Sequence, residues 1–138
     1  MIWLDTWESI EAAPIDEWRK PEFGHDVLIK YCPLAELIKN LDPKSTKKSH
    51  FLQRKIYPDG FSKEKINRIL KFIENDTPLL PPRITLDGKL VKIEDGNHRM
   101  HCASYYDVAY IPIIVSTDEY IKNPHPFIIR AFLENCNF

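Results

Sequence analysis

The sequence predicts an α/β chain in the α+β sense, a small mixed sheet flanked by helices, and three observations carry that class. Residues 62 to 74 place Ile66, Ile69, Leu70 and Ile73 at the i, i+3, i+4, i+7 spacing of one helix face. Residues 84 to 91, ITLDGKLV, form two short apolar-rich runs around Asp87-Gly88, a pair suited to the two-residue turn of a hairpin. Residues 91 to 115 run from an alternating strand (Val91, Ile93) through Asp95-Gly96 into a stretch without glycine or proline as far as Tyr106. They end in the apolar run Ile111 to Val115. The order there is strand, turn, helix, strand.

At 138 residues with 43% hydrophobic side chains, the chain suffices for one core and is short for two. A net charge of −1 gives no global attraction to nucleic acid or to an anionic membrane, so any anion binding has to be local. The N-terminus lacks a basic segment followed by an apolar one, and no long apolar run occurs anywhere. A soluble, cytoplasmic protein with no membrane partner is the expectation. Cys32, Cys102 and Cys136 are odd in number and far apart, which fits neither a disulfide framework nor paired zinc spacing and suits a reducing compartment.

In chain order, residues 1–26 read as an N-terminal extension carrying all three tryptophans and an acidic excess. Trp3, Leu4, Trp7 and Ile10 sit at helical spacing, predicting an amphipathic helix laid on the domain or, alternatively, a partner-binding or lid segment. Pro14 ends that helix or opens a second with Asp16, Glu17 and Trp18. The domain proper spans 27–138. Val27 to Tyr31 is extended, Pro33 breaks strand pairing, and Leu34 to Leu41 can form a helical turn. Between Asp42 and Asp59 there is no acidic residue, while Lys44, Lys47, Lys48, Arg54 and Lys55 are basic, as in a solvated loop or an arm toward phosphates. Ser62 is placed to cap the helix that Thr77-Pro78 stops, and Leu79 to Pro82 must be extended. Pro112 points to an edge or strand-start position. Asp118 to Ile121 and Pro126 to Leu133 read as closing helices.

The chemistry concentrates at Asp95-Gly96-Asn97-His98-Arg99. A strand that turns into a helix here exposes N–H groups with no intrahelical acceptor at the positive end of the helix dipole. Asp95 or Asn97 can cap the helix, Gly96 permits positive φ, and His98 and Arg99 add donors in the first turn. The composite is a phosphate grip, although Asp-Gly-Asn is also an ordinary turn and an arginine there is often only solvated. His98, His101 and Cys102, at i, i+3 and i+4, share a helix face and are the alternative metal set, without a fourth ligand at a recognisable spacing.

Asp-Gly-Asn-His-Arg-Met, then Ala103 and Ile111-Pro112-Ile113-Ile114-Val115, resembles the ParB-like and sulfiredoxin-like superfamily, in which a strand enters a Gly-x-His-Arg box, a short helix and an Ile-Pro-Val strand. Upstream, Cys32-Pro33-Leu34-Ala35-Glu36-Leu37-Ile38 is similar to the superfamily's opening strand-to-turn, Ser62 to Glu74 to its first helix, and Leu80-Pro81-Pro82-Arg83-Ile84-Thr85-Leu86 to its next strand. The match covers roughly residues 27 to 116 in order. It implies a ParB/sulfiredoxin-like fold that binds ATP, ADP or CTP with Mg2+ and acts as a phosphotransferase or nucleotide hydrolase. Gly96, Asn97, His98, Arg99 and Met100 would line the phosphates, and Asp95 would orient the turn or hold the metal. The catalytic residues it implies are Asp95 and His98, with Asp42 as acceptor-activating base and Glu36 in its place if the register shifts by a turn. The acceptor would be a small molecule or a protein. Asn97 stands where sulfiredoxin has its catalytic cysteine, so thiol chemistry of that kind is not expected. A ParB-like DNA-binding or nuclease module is the alternative, disfavoured by the neutral charge and by the absence of a downstream helix-turn-helix. An inactive member that binds a partner through its tryptophan-rich N-terminus is a third reading.

Overall fold

Five successive residues, Ile111 to Val115, are buried, and that pattern fixes the architecture: a strand apolar on both faces has to lie inside the sheet with a layer on either side. The structure is a computed structural model, and it describes residues 1–13, 27–44, 51 and 54–122. Strand β1 (Val27–Pro33) pairs antiparallel with β4 (Tyr110–Ser116), and β2 (Arg83–Asp87) pairs antiparallel with β3 (Leu90–Asp95). The two pairs join through β2 and β4, parallel at Arg83↔Ile114 and Ile84↔Val115, giving the order β1-β4-β2-β3. This is the small mixed sheet that the sequence predicts.

One face of the sheet carries Cys32, Ile84, Val91, Ile111, Ile113 and Val115. Against it pack α2 (Leu34–Lys39) through Leu34 and Leu37, α3 (Lys63–Glu74) through Ile66 and Ile69, and α4 (Asn97–Tyr105) through Met100 and Ala103. Ser62 caps α3 as expected, its side chain accepting the Lys65 N–H. The opposite face gathers a smaller cluster, Leu4, Ile10, Leu80 and Ile114, with Trp7, Val27 and Ile29 around it. Residues 1–13 therefore belong to the packing of the sheet.

The N-terminal stripe is not continuous helix. Thr6 accepts the Ser9 N–H and Ser9 answers to the Thr6 backbone, a capping box that starts α1 (Trp7–Ala12) at Trp7. The preceding residues are extended: Leu79 N–H donates to Ile2 O at 2.8 Å and Leu4 N–H to Leu79 O at 2.9 Å. Trp3 bridges Leu79 in parallel, so its helical spacing to Trp7 is coincidental.

Two proline expectations also change. Pro33 stays in register opposite Tyr110 as the last residue of β1 and the N-cap position of α2. Pro112 lies in an internal strand, and the ladder shows why it is tolerated there. Ile114 donates its N–H toward β2, to Pro82 O at 2.8 Å, so Pro112 two residues earlier would have donated on the same side, where pairing with β2 has not yet begun. The hairpin closes over Gly88-Lys89, with Asp87 opposite Leu90 and positive φ at Gly88 alone (+61°), the pattern of a glycine-first II′ turn. A register shift beside Arg83/Ile84 leaves Glu94 as the extra residue of a bulge just before Asp95.

The final described helix, α5 (Thr117–Lys122), fulfils the Asp118 to Ile121 expectation and completes β2: Glu119 Oε2 accepts the Leu86 N–H at 3.3 Å, beyond the reach of β4. The second helix near Asp16, the segment from Ser45 to His50 with Lys47 and Lys48, and the Pro126 to Leu133 helix lie outside the described residues. Among the described residues no helix is long and apolar enough to cross a membrane.

If α1 is part of this sheet's packing, removing its buried contact must register on the whole domain. Ile10 is fully buried, so Ile10→Ala should cost ~2–5 kcal/mol in urea unfolding while the transition remains single. A loss below about 0.5 kcal/mol, or a separate early transition, would detach the N-terminal residues from the core.

Candidate functional site

Between β3 and α4 the chain reverses in one residue. Gly96 is the N-cap of α4 with φ +101° and ψ +22°, a conformation that L side chains rarely adopt. It is also wedged: a Cβ there would lie 2.8 Å from Pro82 Cα and 3.0 Å from Arg99 Nη2. The expected cap from Asp95 or Asn97 is not formed, because the N-cap position falls on the glycine between them and no side chain caps the helix. The first intrahelical bond runs from Met100 N–H to Gly96 O at 2.9 Å, so the N–H groups of residues 97–99 have no intrahelical acceptor. Elsewhere the sequence supplies such helix starts with oxygen and negative charge, Thr6 with Glu8 for α1 and Ser62 with Glu64 for α3. The first turn of α4 has neither.

Arg99 does not face solvent as the sequence reading expects. It is 4% exposed, donating from Nη1 to Leu80 O at 3.0 Å, with Nη2 3.2 Å from Asp95 Oδ2. Burial pulls its pKa below the ordinary guanidinium value, and the charge and hydrogen bond of Asp95 oppose that shift. Asp95 is about half exposed. Met100 is wholly buried, which makes it a core side chain rather than a ligand contact.

His98 links two helix starts. Its Nε2 accepts the Ser62 N–H at 3.0 Å, which assigns its own proton to Nδ1 in the neutral ring. The imidazole meets the Phe61 ring edge-on, with centroids 5.0 Å apart and planes at 89°. Phe61 closes a turn by donating its N–H to Pro58 O at 3.3 Å, with Gly60 at φ +84° in the position a type II turn reserves for glycine. The N-termini of α3 and α4, both positive dipole ends, thus meet at one imidazole. Sequence reading treats Ser62 only as a cap and does not single out Phe61. The available signal is Pro58-Asp59-Gly60 directly before that cap, which sets a turn against the helix start.

The alternative metal set does not assemble. His101 is 1% exposed, its Nε2 is 3.2 Å from Ile56 O, and its ring stacks on Phe61 (5.0 Å, 27°) and Phe51 (6.3 Å, 30°). Cys102 is buried, and no group of three metal-type side chains occurs among the described residues. Burial alone pushes the Cys102 thiol up to about 12 and raises Cys32 further, so both remain thiols at neutral pH.

The structure separates the implied base from the turn. Leu41 bridges Val91 and Asp42 N–H donates to Val91 O at 2.9 Å. Val91 is four residues before Asp95 on β3, ~13 Å along an extended strand. Asp42 Oδ1 accepts the Lys44 N–H at 2.9 Å, the local turn role. Glu36 lies in the first turn of α2. Among the basic residues, Arg54 pairs with Asp107 at 3.8 Å, beyond the C-terminal end of α4 and away from Gly96. A cavity of about 250 Å³ lies beside Arg83, Glu94 and Glu119, and another of about 390 Å³ beside Leu34, Phe51 and Asp107. Neither is lined by residues 95–99.

The turn tolerates no side chain at its centre. Gly96→Ala combines a left-handed backbone, ~1–2 kcal/mol, with overlap on Pro82, and should cost more than ~2 kcal/mol in total. Urea unfolding of the variant checks this, and a loss under 1 kcal/mol would mean that the turn relaxes. Comparison of the chain with protein-family models, with curated proteins and with solved structures gives no match.

Proposed function

We propose that the β3–α4 turn binds the phosphates of a nucleoside di- or triphosphate, and that the domain is a phosphotransferase or nucleotide hydrolase of the ParB/sulfiredoxin type. The observation that carries this reading is the start of α4, which has neither a side-chain cap nor an acidic residue in its first turn. A helix N-terminus without a side-chain cap or an acidic first turn is complementary to a phosphate, whose oxygens would accept N–H groups of that first turn. Asn97 and His98 are partly exposed beside it. The positive ends of α3 and α4, joined through His98, add to the field there.

The resemblance of Gly96-Asn97-His98-Arg99 to the superfamily box supports the same reading. Phosphoryl transfer requires positioning and charge neutralisation more than covalent chemistry, so a small site suffices. Asp95, half exposed beside the turn, fits a single-carboxylate contact to a magnesium ion that the phosphates already carry. That ion would neutralise charge on the transferred group. Duplex DNA is the weaker candidate, because the chain has a net charge of −1.

Calorimetric titration of the folded protein with ATP, ADP and CTP, with and without magnesium, should give saturable binding to at least one of them. No heat with any nucleotide would overturn the proposal, and a salt-sensitive, submicromolar complex with duplex DNA would transfer the site to nucleic acid. Asp42 is committed to Lys44 and lies toward the far end of β3 from the turn. Asp42→Asn should therefore leave both nucleotide affinity and turnover within about twofold of wild type, against the ~10²-fold loss expected of a general base.

A further inference from the structure

An arginine at a phosphate site would be expected to face outward, and Arg99 faces inward. Its guanidinium is 4% exposed, spans Leu80 O and Asp95 Oδ2, and lies so close to Gly96 that a Cβ there would sit 3.0 Å from Nη2. We infer that Arg99 is a positioning residue, clamping the Gly96 turn onto the Leu80-Pro81-Pro82 segment, and is not itself a phosphate ligand. This rests on the reading of the turn as a phosphate site and specifies how that site is held.

Three features make the clamp specific. First, the segment it grips is short of donors: Pro81 and Pro82 have no N–H, so its carbonyls need donors from elsewhere. Leu80 O receives Arg99 and Pro82 O receives Ile114 N–H. Second, a planar fork reaches two acceptors in fixed directions, which an ammonium does not reproduce, so the residue type matters as well as the charge. Third, the gripped segment is anchored on its other side. Leu79 exchanges hydrogen bonds with Ile2 and Leu4, and Leu80 shares its apolar cluster with Leu4 and Ile10. The turn is thereby referenced through Arg99 to the N-terminal residues and the sheet. For Arg99 to touch a phosphate it would have to leave both acceptors and vacate the space beneath Gly96.

Asp95→Asn separates the possible roles by sign. Asparagine still accepts a hydrogen bond from Arg99 but removes the charge that fixes the fork. If Arg99 were a phosphate ligand, deleting a competing carboxylate would tighten anion binding. If Arg99 were merely structural, binding by folded protein would not change. A positioning role predicts weaker binding even though a negative charge has left the neighbourhood. Calorimetry with inorganic pyrophosphate in the absence of divalent cations should show affinity falling about threefold or more, and Arg99→Lys, which keeps the charge and loses the fork, should fall at least as far. Amide hydrogen exchange supplies a readout that needs no ligand: the Met100 amide, bonded to Gly96 O, and the Leu79 amide, bonded to Ile2 O, should exchange about tenfold faster in Asp95→Asn while amides in the middle of β4 hold. Tighter or unchanged pyrophosphate binding in Asp95→Asn overturns the positioning role, as does Arg99→Lys binding like wild type. Should wild type bind neither pyrophosphate nor any nucleotide, the phosphate reading falls by itself and exchange alone decides the clamp, unaltered exchange at Met100 and Leu79 removing it.

Discussion

Leu79 to Pro82 is a segment short of donors, and the fold is arranged around satisfying it. Two successive prolines leave carbonyls with no N–H groups beside them, and a buried carbonyl without a donor costs about 1–3 kcal/mol. Three of its four carbonyls are met by different elements: Leu79 O by Leu4 N–H, Leu80 O by Arg99, and Pro82 O by Ile114 N–H. The N-terminal residues, the β3–α4 turn and the central strand are thereby tied to one stretch of chain. Pro82 contributes in a second way, since its Cα leaves room at Gly96 for hydrogen and nothing larger. The turn is shaped from outside by that contact as much as by its own dihedral preference.

What the sequence reveals of this follows from how local each cause is. The stripe of Ile66, Ile69, Leu70 and Ile73 and the Ser62 cap define α3 from neighbouring residues alone, and Asp95-Gly96 marks the end of a strand for the same reason. The helical spacing of Trp3, Leu4, Trp7 and Ile10 is equally local but misleads, because Thr6 and Ser9 form a capping box that fixes the start at Trp7, and the residues before it hydrogen-bond to Leu79. Pro112 misleads because strand order is non-local: nothing near it says that pairing with β2 begins only at Ile114. Gly96 to Arg99 are legible as a group, but the inward direction of Arg99 is not, since it depends on carbonyls almost twenty residues away in sequence. The separation of Asp42 from the turn depends likewise on the Leu41 to Val91 bridge, a register that no spacing encodes.

His98 shows how the two positive helix ends are accommodated. Bringing the N-termini of α3 and α4 together places like partial charges side by side, and the first N–H groups of each helix have no intrahelical acceptor. On α3 the Ser62 hydroxyl accepts the Lys65 N–H, and the Ser62 N–H donates to the neutral His98 ring. The α4 end has no equivalent side chain. A glycine in a capping position costs only a few tenths of a kcal/mol relative to the better caps, so the missing oxygen is a mild loss in stability. It leaves the end of the helix without a side-chain cap on the side where Asn97 is partly exposed.

The burial of Arg99 is better explained by geometry than by stability. A buried ion pair returns little net free energy, because desolvation offsets most of the attraction, and an apolar pair of the same shape is often as stable. Asp95 is half exposed, which screens the pair and lowers its contribution further. An apolar residue in place of Arg99 would fill the same volume but could not donate to Leu80 O, and it would leave Asp95 to turn with the solvent. The guanidinium sets a direction: it fixes the side chain before Gly96 and the backbone before Pro81 against one rigid plane. If the turn binds phosphate through backbone N–H groups, as proposed, that direction is the quantity that matters, since amides a few tenths of an ångström out of line lose much of their hydrogen bond to a phosphate oxygen. A charge inside the protein can thus serve an anion outside it without contact, by holding the dipoles that make the contact.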